Sequence, residues 1–207
     1  MNPTGKRIVI TGGSIGIGLE LAKALIAEGA QVLVCARNRP ALEAAQQNTP
    51  SLAIAQCDVA RDDQVSALLE TARSTLGGVD VLINNAAVFR RLDILERSTL
   101  ESQLEEIDIN LKGPVRVTGV FLPELLRSEE PIIVNLTSAL GYAPMAAAPT
   151  YSATKAAINS WTISLRHQLR HSKARVVLLS PPVVDTRMNA DNPDVEGMKI
   201  MTARRSR

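Results

Sequence analysis

Six short apolar runs rich in β-branched residues punctuate the chain: Arg7-Thr11, Gln31-Cys35, Leu52-Gln56, Val79-Ile83, Ile132-Leu136 and Arg175-Leu179. Each is short and apolar at consecutive positions, the pattern of a strand buried on both faces. Between them apolar residues recur at helical spacing, as in Leu21, Leu25 and Ile26, then Val65, Leu68 and Leu69, then Leu122, Leu125 and Leu126. Alternating strand and helix imply right-handed crossovers, hence an α/β, doubly wound parallel sheet of about six strands with helices on both faces. Gly29 and Gly77-Gly78 stand where helices should end, since glycine accepts the left-handed backbone that closes them. Gly113-Pro114 falls inside the helical stretch Thr99-Arg127 and predicts a kink there, because proline disrupts helical bonding.

The 207 residues fit a single domain spanning 1–207, and 45% hydrophobic content supplies a core. Twenty-three basic and 21 acidic residues, net +2, give no single-sign field for nucleic acid; only Arg204-Arg205-Ser206-Arg207 is locally basic. No apolar run approaches the ~20 residues of a membrane span and no secretory leader is evident, so the expectation is a cytoplasmic protein without membrane or nucleic-acid partners. Cys35 and Cys57 are isolated and read as buried, reduced thiols. His167 and His171, spaced i,i+4, lack a third ligand, and no metal site is expected. From Pro181 onward the pattern fades, and residues 187–207 read as a loop or partly disordered tail.

The first strand runs into Thr11-Gly12-Gly13-Ser14-Ile15-Gly16-Ile17-Gly18 and then at once into a helix. Gly12 can take turn dihedrals, Gly16 lets backbone approach a pyrophosphate, and Gly18 lets the helix pack closely on the sheet. The helix N-terminus then offers free N–H groups to phosphate. At the end of the second strand, where an acid would bind a ribose 2′-hydroxyl, stand Ala36, Arg37 and Asn38. Arg37 can hold a 2′-phosphate through paired donors, which predicts NADP(H) over NAD(H).

Tyr151 and Lys155 share one face of a helix expected to run to about Leu169. A phenol of pKa about 10 becomes a usable acid/base when an ammonium stabilises its phenolate. Ser138, just after the fifth strand, lies at the carboxyl edge of the sheet, where its hydroxyl could bond a substrate oxygen.

The TGxxxGxG spacing, together with Tyr151-Ser152-Ala153-Thr154-Lys155, resembles the short-chain dehydrogenase/reductase family. The resemblance implies a Rossmann fold and reversible hydride transfer between NADP(H) and a small-molecule carbonyl or alcohol. It carries over an Asn110-Ser138-Tyr151-Lys155 tetrad, in which Lys155 also holds the nicotinamide ribose and Asn110 anchors a water leading to the lysine. Cofactor contacts carried over by the same likeness are Gly12, Ser14, Ile15, Gly16, Ile17, Arg37, Asn38, the adenine pair Asp58-Val59, Asn85, Ala86, Ala87, Pro181, Val184 and Thr186, besides Tyr151 and Lys155. Asn84-Asn85-Ala86-Ala87 resembles the family's NNAG, with Ala87 in place of glycine, and its asparagines can tie neighbouring strands together. Pro181-Pro182-Val183-Val184-Asp185-Thr186 resembles PGxxxT, with Pro182 stiffening the turn. This Pro-Pro form, with Cys35-Ala36-Arg37-Asn38, is similar to a DltE-like branch.

The resemblance also implies a homodimer through the helices carrying Asn110 and Tyr151; a tetramer would need a second family interface. Only 21 residues follow Thr186, so the substrate lobe reads as shortened, and the alternative is an NADP(H)-binding sensor or scaffold without turnover. Phe89-Arg90-Arg91, Leu140-Ala148 and Met188-Met198 are expected to shape a largely apolar substrate pocket with a basic rim.

Overall fold

A computed structural model describes residues 2–181, together with the backbone of 184–185 and 201–202. Strands β1 (Arg7–Thr11), β2 (Gln31–Ala36), β3 (Ala53–Gln56), β4 (Val81–Asn84), β5 (Ile132–Leu136) and β6 (Arg175–Leu179) form one sheet in the order β3-β2-β1-β4-β5-β6. Every pairing is parallel. The chain winds outward from β1 through β2 to β3, then crosses back to lay β4 on the other side of β1. The carboxyl ends of β1 and β4 therefore border the crevice where strand order reverses, the place such sheets bind ligands.

The helices are α1 (Gly16–Ala27), α2 (Arg39–Asn48), α3 (Asp62–Leu76), α4 (Leu100–Ile107), α5 (Gly113–Leu125) and α6 (Pro149–Gln168). Alternating strand residues feed two apolar layers. On one face Val9, Leu33, Leu82 and Ile133 pack against Leu68 of α3, Phe121 of α5 and Leu165 of α6. On the other, Ile8, Ile10, Val32 and Val34 pack against Ala22 of α1 and Leu42 of α2. The third strand begins at Ala53 and the fourth at Val81, later than their apolar runs suggest. Before β4, Gly77 closes α3 at φ 76° and Asp80 turns to Arg7.

That last contact locks the sheet's lower edge. Asp80 accepts from the Arg7 backbone N–H (2.9 Å), from its Nε (2.9 Å) and Nη2 (2.7 Å), and from Ser128 Oγ (2.7 Å). The guanidinium fork, with the serine and backbone donors, holds the Asp80 carboxyl well below its ordinary pKa.

The kink expected at Gly113-Pro114 takes a different form. Residues Asp108–Lys112 make a π-helical turn that joins α4 to α5, so the helical stretch widens just before Gly113. An α-helical bond to Pro114 is impossible, and its ring would crowd the carbonyl of residue 110; widening the preceding turn relieves both. Pro149 starts α6 at a position where a missing N–H costs nothing. Within the stretch expected to be loop beyond 187, Met201–Thr202 pair in parallel with Val184–Asp185; the rest of 187–207 lies outside the described residues.

Candidate active site

The glycine turn sits at the crevice and its shape explains its composition. Gly12 and Gly16 have φ of 67° and 60°, the left-handed region. A β-carbon on Gly12 would stand 2.7 Å from Ala86 Cα, and one on Gly18 would stand 2.5 Å from Asn85 Nδ2. Asn85 fills that space by donating from Nδ2 to the carbonyl oxygens of Thr11 and Gly12, both at 2.9 Å. Thr11 Oγ1 answers by accepting the N–H groups of Asn85 and Ala86, each at 3.1 Å. The end of β4 is thus stitched to the turn that follows β1. No side chain caps the first turn of α1, where Ile15 is half-exposed, so its N–H groups face the crevice without a competing acceptor. These features fit a dinucleotide's pyrophosphate.

The residues expected to hold the adenosine, Arg37, Asn38, Asp58 and Val59, have other partners. Arg37 Nη1 donates to Glu105 Oε1 on α4 at 2.9 Å, and Glu105 Oε2 also pairs with Arg90 Nη2. Both cations push the Glu105 carboxyl below its ordinary pKa. Asn38 Oδ1 accepts the Ala41 N–H at 3.0 Å, capping α2. Asp58 Oδ1 accepts from the Ala60 N–H at 2.9 Å, while Val59 is buried against Gly113. Cys35 and Cys57 are buried free thiols.

Asn84 ties β4 to β5. Its Nδ2 donates to Asn135 Oδ1 at 2.8 Å and to Thr118 Oγ1 at 3.0 Å, and Asn135 Nδ2 donates onward to Thr162 Oγ1 at 2.9 Å. This buried polar chain runs from α5 through two strands to α6. Sequence reasoning named the strand-tying asparagine but not Asn135, Thr118 or Thr162, whose pairing depends on strand register.

At the far side of the crevice α6 presents Tyr151 and Lys155, 7% and 4% exposed. Lys155 Nζ lies 5.6 Å from the centre of the Tyr151 ring and donates to the Leu136 carbonyl oxygen at 3.0 Å. Ser138 Oγ accepts the Leu140 N–H at 3.2 Å, and its hydroxyl favours the ionised form of the Tyr151 phenol. Burial pushes the Tyr151 phenol above its ordinary pKa, opposed by the Ser138 hydroxyl and helped by the charge of Glu106. Burial pushes Lys155 down to about 8, with Glu106 opposing. Asn110, fully buried in the π turn, accepts the Val88 N–H and donates to the Val88 carbonyl oxygen, each at 2.8 Å. Asn110, Ser138, Tyr151 and Lys155 therefore converge from the π turn, the end of β5 and α6. Phe89 meets the Tyr151 ring edge-on, centroids 5.0 Å apart. Phe89 was expected only as a pocket residue, and Glu106 was not anticipated at all.

A groove is lined by Arg91, Leu92, Asp93, Ile94, Ala146, Ala147 and Pro149; Arg91, Ala146 and Ala147 belong to the segments expected to shape a pocket, whereas Leu92, Asp93, Ile94 and Pro149 do not. Pro181 follows β6 after Ser180. Val184 is described in backbone alone, and Pro182, Thr186 and the Met188-Met198 stretch lie outside the described residues. His167 and His171 are exposed near the far end of α6, and no cluster of three or more potential metal ligands occurs among the described residues. No described helix is long and apolar enough to cross a membrane.

An open parallel sheet with a glycine turn at its switch point, facing a buried Tyr-Lys pair, has the outline of a dinucleotide-dependent oxidoreductase. The chain belongs to the short chain dehydrogenase family, whose model matches residues 6–197. It is 40% identical over 200 residues to "Uncharacterized oxidoreductase DltE" of Bacillus subtilis (strain 168), covering 96% of this chain and 79% of that one. An uncharacterized oxidoreductase of Staphylococcus saprophyticus is 36% identical over 191 residues, 90% of this chain and 77% of the relative. Among solved structures, a 3-ketoacyl-(acyl-carrier-protein) reductase from Brucella melitensis complexed with NADH superposes with a TM-score of 0.91. It is 25% identical, covering 98% of this chain and 87% of its own.

Proposed function

We propose that the chain is an NADP(H)-dependent oxidoreductase that interconverts a carbonyl and an alcohol. The observation that carries this reading is the convergence of Ser138, Tyr151 and Lys155 at the carboxyl edge of the sheet, beside a glycine turn shaped for pyrophosphate. Bound NADP(H) supplies or accepts the hydride. Tyr151 donates its phenolic proton to the carbonyl oxygen in reduction and takes it back in oxidation. Ser138, at the end of β5 facing Tyr151, orients the same oxygen. Lys155, when charged, stabilises the phenolate left behind and holds the nicotinamide ribose, and a water at Asn110 continues the proton path.

Gly12 to Ile17 at the head of α1 would hold the pyrophosphate, and Arg37, Asp58 and Val59 would hold the adenosine. Arg37 with Ala36 favours a 2′-phosphate over a bare ribose. The reading includes a cytoplasmic homodimer, supported by the exposed Leu100 and Leu104 of α4, Val115 of α5 and Ile163 of α6. Fluorescence titration with NADPH and NADH, followed by a carbonyl-substrate screen, tests it. The expected result is NADPH binding at least about tenfold tighter and NADPH-dependent reduction of some carbonyl. Equal affinities would remove the NADP(H) assignment, and binding without turnover across the panel would remove the catalytic one.

A further inference from the structure

Glu106 has no solvent exposure, unlike any other carboxyl among the described residues. Its Oε1 accepts the Arg90 backbone N–H at 3.1 Å, while its buried Oε2 has no hydrogen-bond partner. One helical turn further on, Asn110 binds both backbone groups of Val88. The two side chains thus grip the backbone on either side of Phe89, in a segment with no regular secondary structure of its own. Phe89 is the residue whose ring edge rests on Tyr151. Three hydrogen bonds, from α4 and the π turn that follows it, therefore aim an aromatic wall at the phenol on α6.

The charge of Glu106 bears on the same place. It is felt at Lys155 and Tyr151 from α6, and Arg90 faces it from the loop after β4 with its guanidinium held by Glu105 and the Ser102 carbonyl. Leaving a carboxylate oxygen buried and unbonded is unfavourable, and packing alone would not select it. A cost of that kind is tolerated where a site uses the group.

We propose that Glu106 is a positioning residue for Tyr151: through Arg90 it holds Phe89 against the phenol ring, and its carboxylate sets the charge that Tyr151 and Lys155 face. This rests on Tyr151 being the acid/base of the reaction. Burial lifts the Glu106 carboxyl to about 7, so this charge changes in the neutral range.

The test uses the cofactor-free protein and needs no substrate. The chain has two tyrosines, so in a Tyr142→Phe background tyrosinate absorbance reports Tyr151 alone. Glu106→Gln keeps an acceptor oxygen for the Arg90 N–H and removes the charge. In the alkaline range where the phenol titrates, Lys155 is already neutral, so the loss of Glu106's negative charge acts unopposed. The Tyr151 midpoint should fall by about half a pH unit or more in Glu106→Gln; an unchanged or raised midpoint overturns the proposal. If that variant does not fold, the unsubstituted protein decides. The Arg90 amide resonance should move with pH about a midpoint near 7 as its acceptor ionises, and a flat Arg90 shift overturns the proposal. Neither readout involves NADP(H) or turnover, so failure here leaves the oxidoreductase reading standing, and failure there leaves this result interpretable.

Discussion

A β-carbon on Gly18 would stand 2.5 Å from the side-chain nitrogen of Asn85, inside any contact distance real atoms adopt. Alanine in the interior of a helix is normally favoured over glycine by about 1 kcal/mol. Here Asn85 cannot withdraw without breaking its bonds to the Thr11 and Gly12 carbonyls, and overpacking of this kind costs about 1–3 kcal/mol. Crowding should therefore win. Gly18→Ala is expected to lower the thermal midpoint and to weaken NADPH binding, because the turn it displaces is the one proposed to hold pyrophosphate. A stabilised variant with unchanged affinity would contradict that packing account.

Acid stability should depend on Asp80. Its folded pKa lies below the ordinary 3.8, so the carboxyl contributes stability that is complete above about pH 4 and lost as pH falls toward the folded value. The pair is largely shielded, with side-chain exposures of 30% for Arg7 and 11% for Asp80. Asp80→Asn should cost ~2 kcal/mol in chemical denaturation at pH 7, with a smaller difference from the parent below pH 3.

Lys155 has the same sign for a different reason: burial disfavours its charged form, where at Asp80 a partner favours one. Burial lowers it from 10.5 to about 8, so the unfolded chain keeps a proton that the folded one releases, and this group's contribution to stability rises with pH across that interval. If its ammonium holds the nicotinamide ribose, affinity should run the other way. NADPH binding should weaken as pH climbs through about 8, and Lys155→Met should lose that pH dependence along with most of the affinity. Binding titrations between pH 6.5 and pH 9.5 in both proteins check this.

Much of this arrangement is legible in the residues themselves. The strands could be found because a parallel sheet covered on both sides turns burial into unbroken apolar runs, as in Ile8-Val9-Ile10. Tyr151 and Lys155 could be paired because a helix converts a spacing of four into one shared face. Glu106 was hidden for a physical reason: in Leu104-Glu105-Glu106 it looks like half of a solvated acidic pair. It is paired with the Arg90 backbone, which arrives from elsewhere in the chain. The widened turn around Asn110 was equally hidden, since proline signals a disturbance in a helix without saying whether it bends or widens. Asn135 and Thr162 meet only once β5 and α6 are docked.

Glu105 should modulate cofactor choice. It occupies Arg37, the side chain proposed for the 2′-phosphate, in a half-exposed pair. Exposed ion pairs are worth about 1 kcal/mol or less, so a phosphate can displace it at modest cost. Glu105→Ala should tighten NADPH binding by about two- to fivefold and leave NADH unaffected. Arg37→Ala should weaken NADPH by about tenfold or more with little change for NADH. Parallel titrations of the two variants with both nucleotides measure the effect.

The central claim is that Tyr151 performs the proton transfer while the rest of the site binds cofactor. Once the substrate screen has supplied a carbonyl that the parent reduces, turnover and NADPH affinity should be measured side by side in Tyr151→Phe. The ring, its contact with Phe89 and the position of Lys155 remain in that variant, so NADPH affinity should stay within about threefold of the parent while turnover falls by about a thousandfold or more. Turnover near the parent rate would contradict the assignment of Tyr151 as the acid/base.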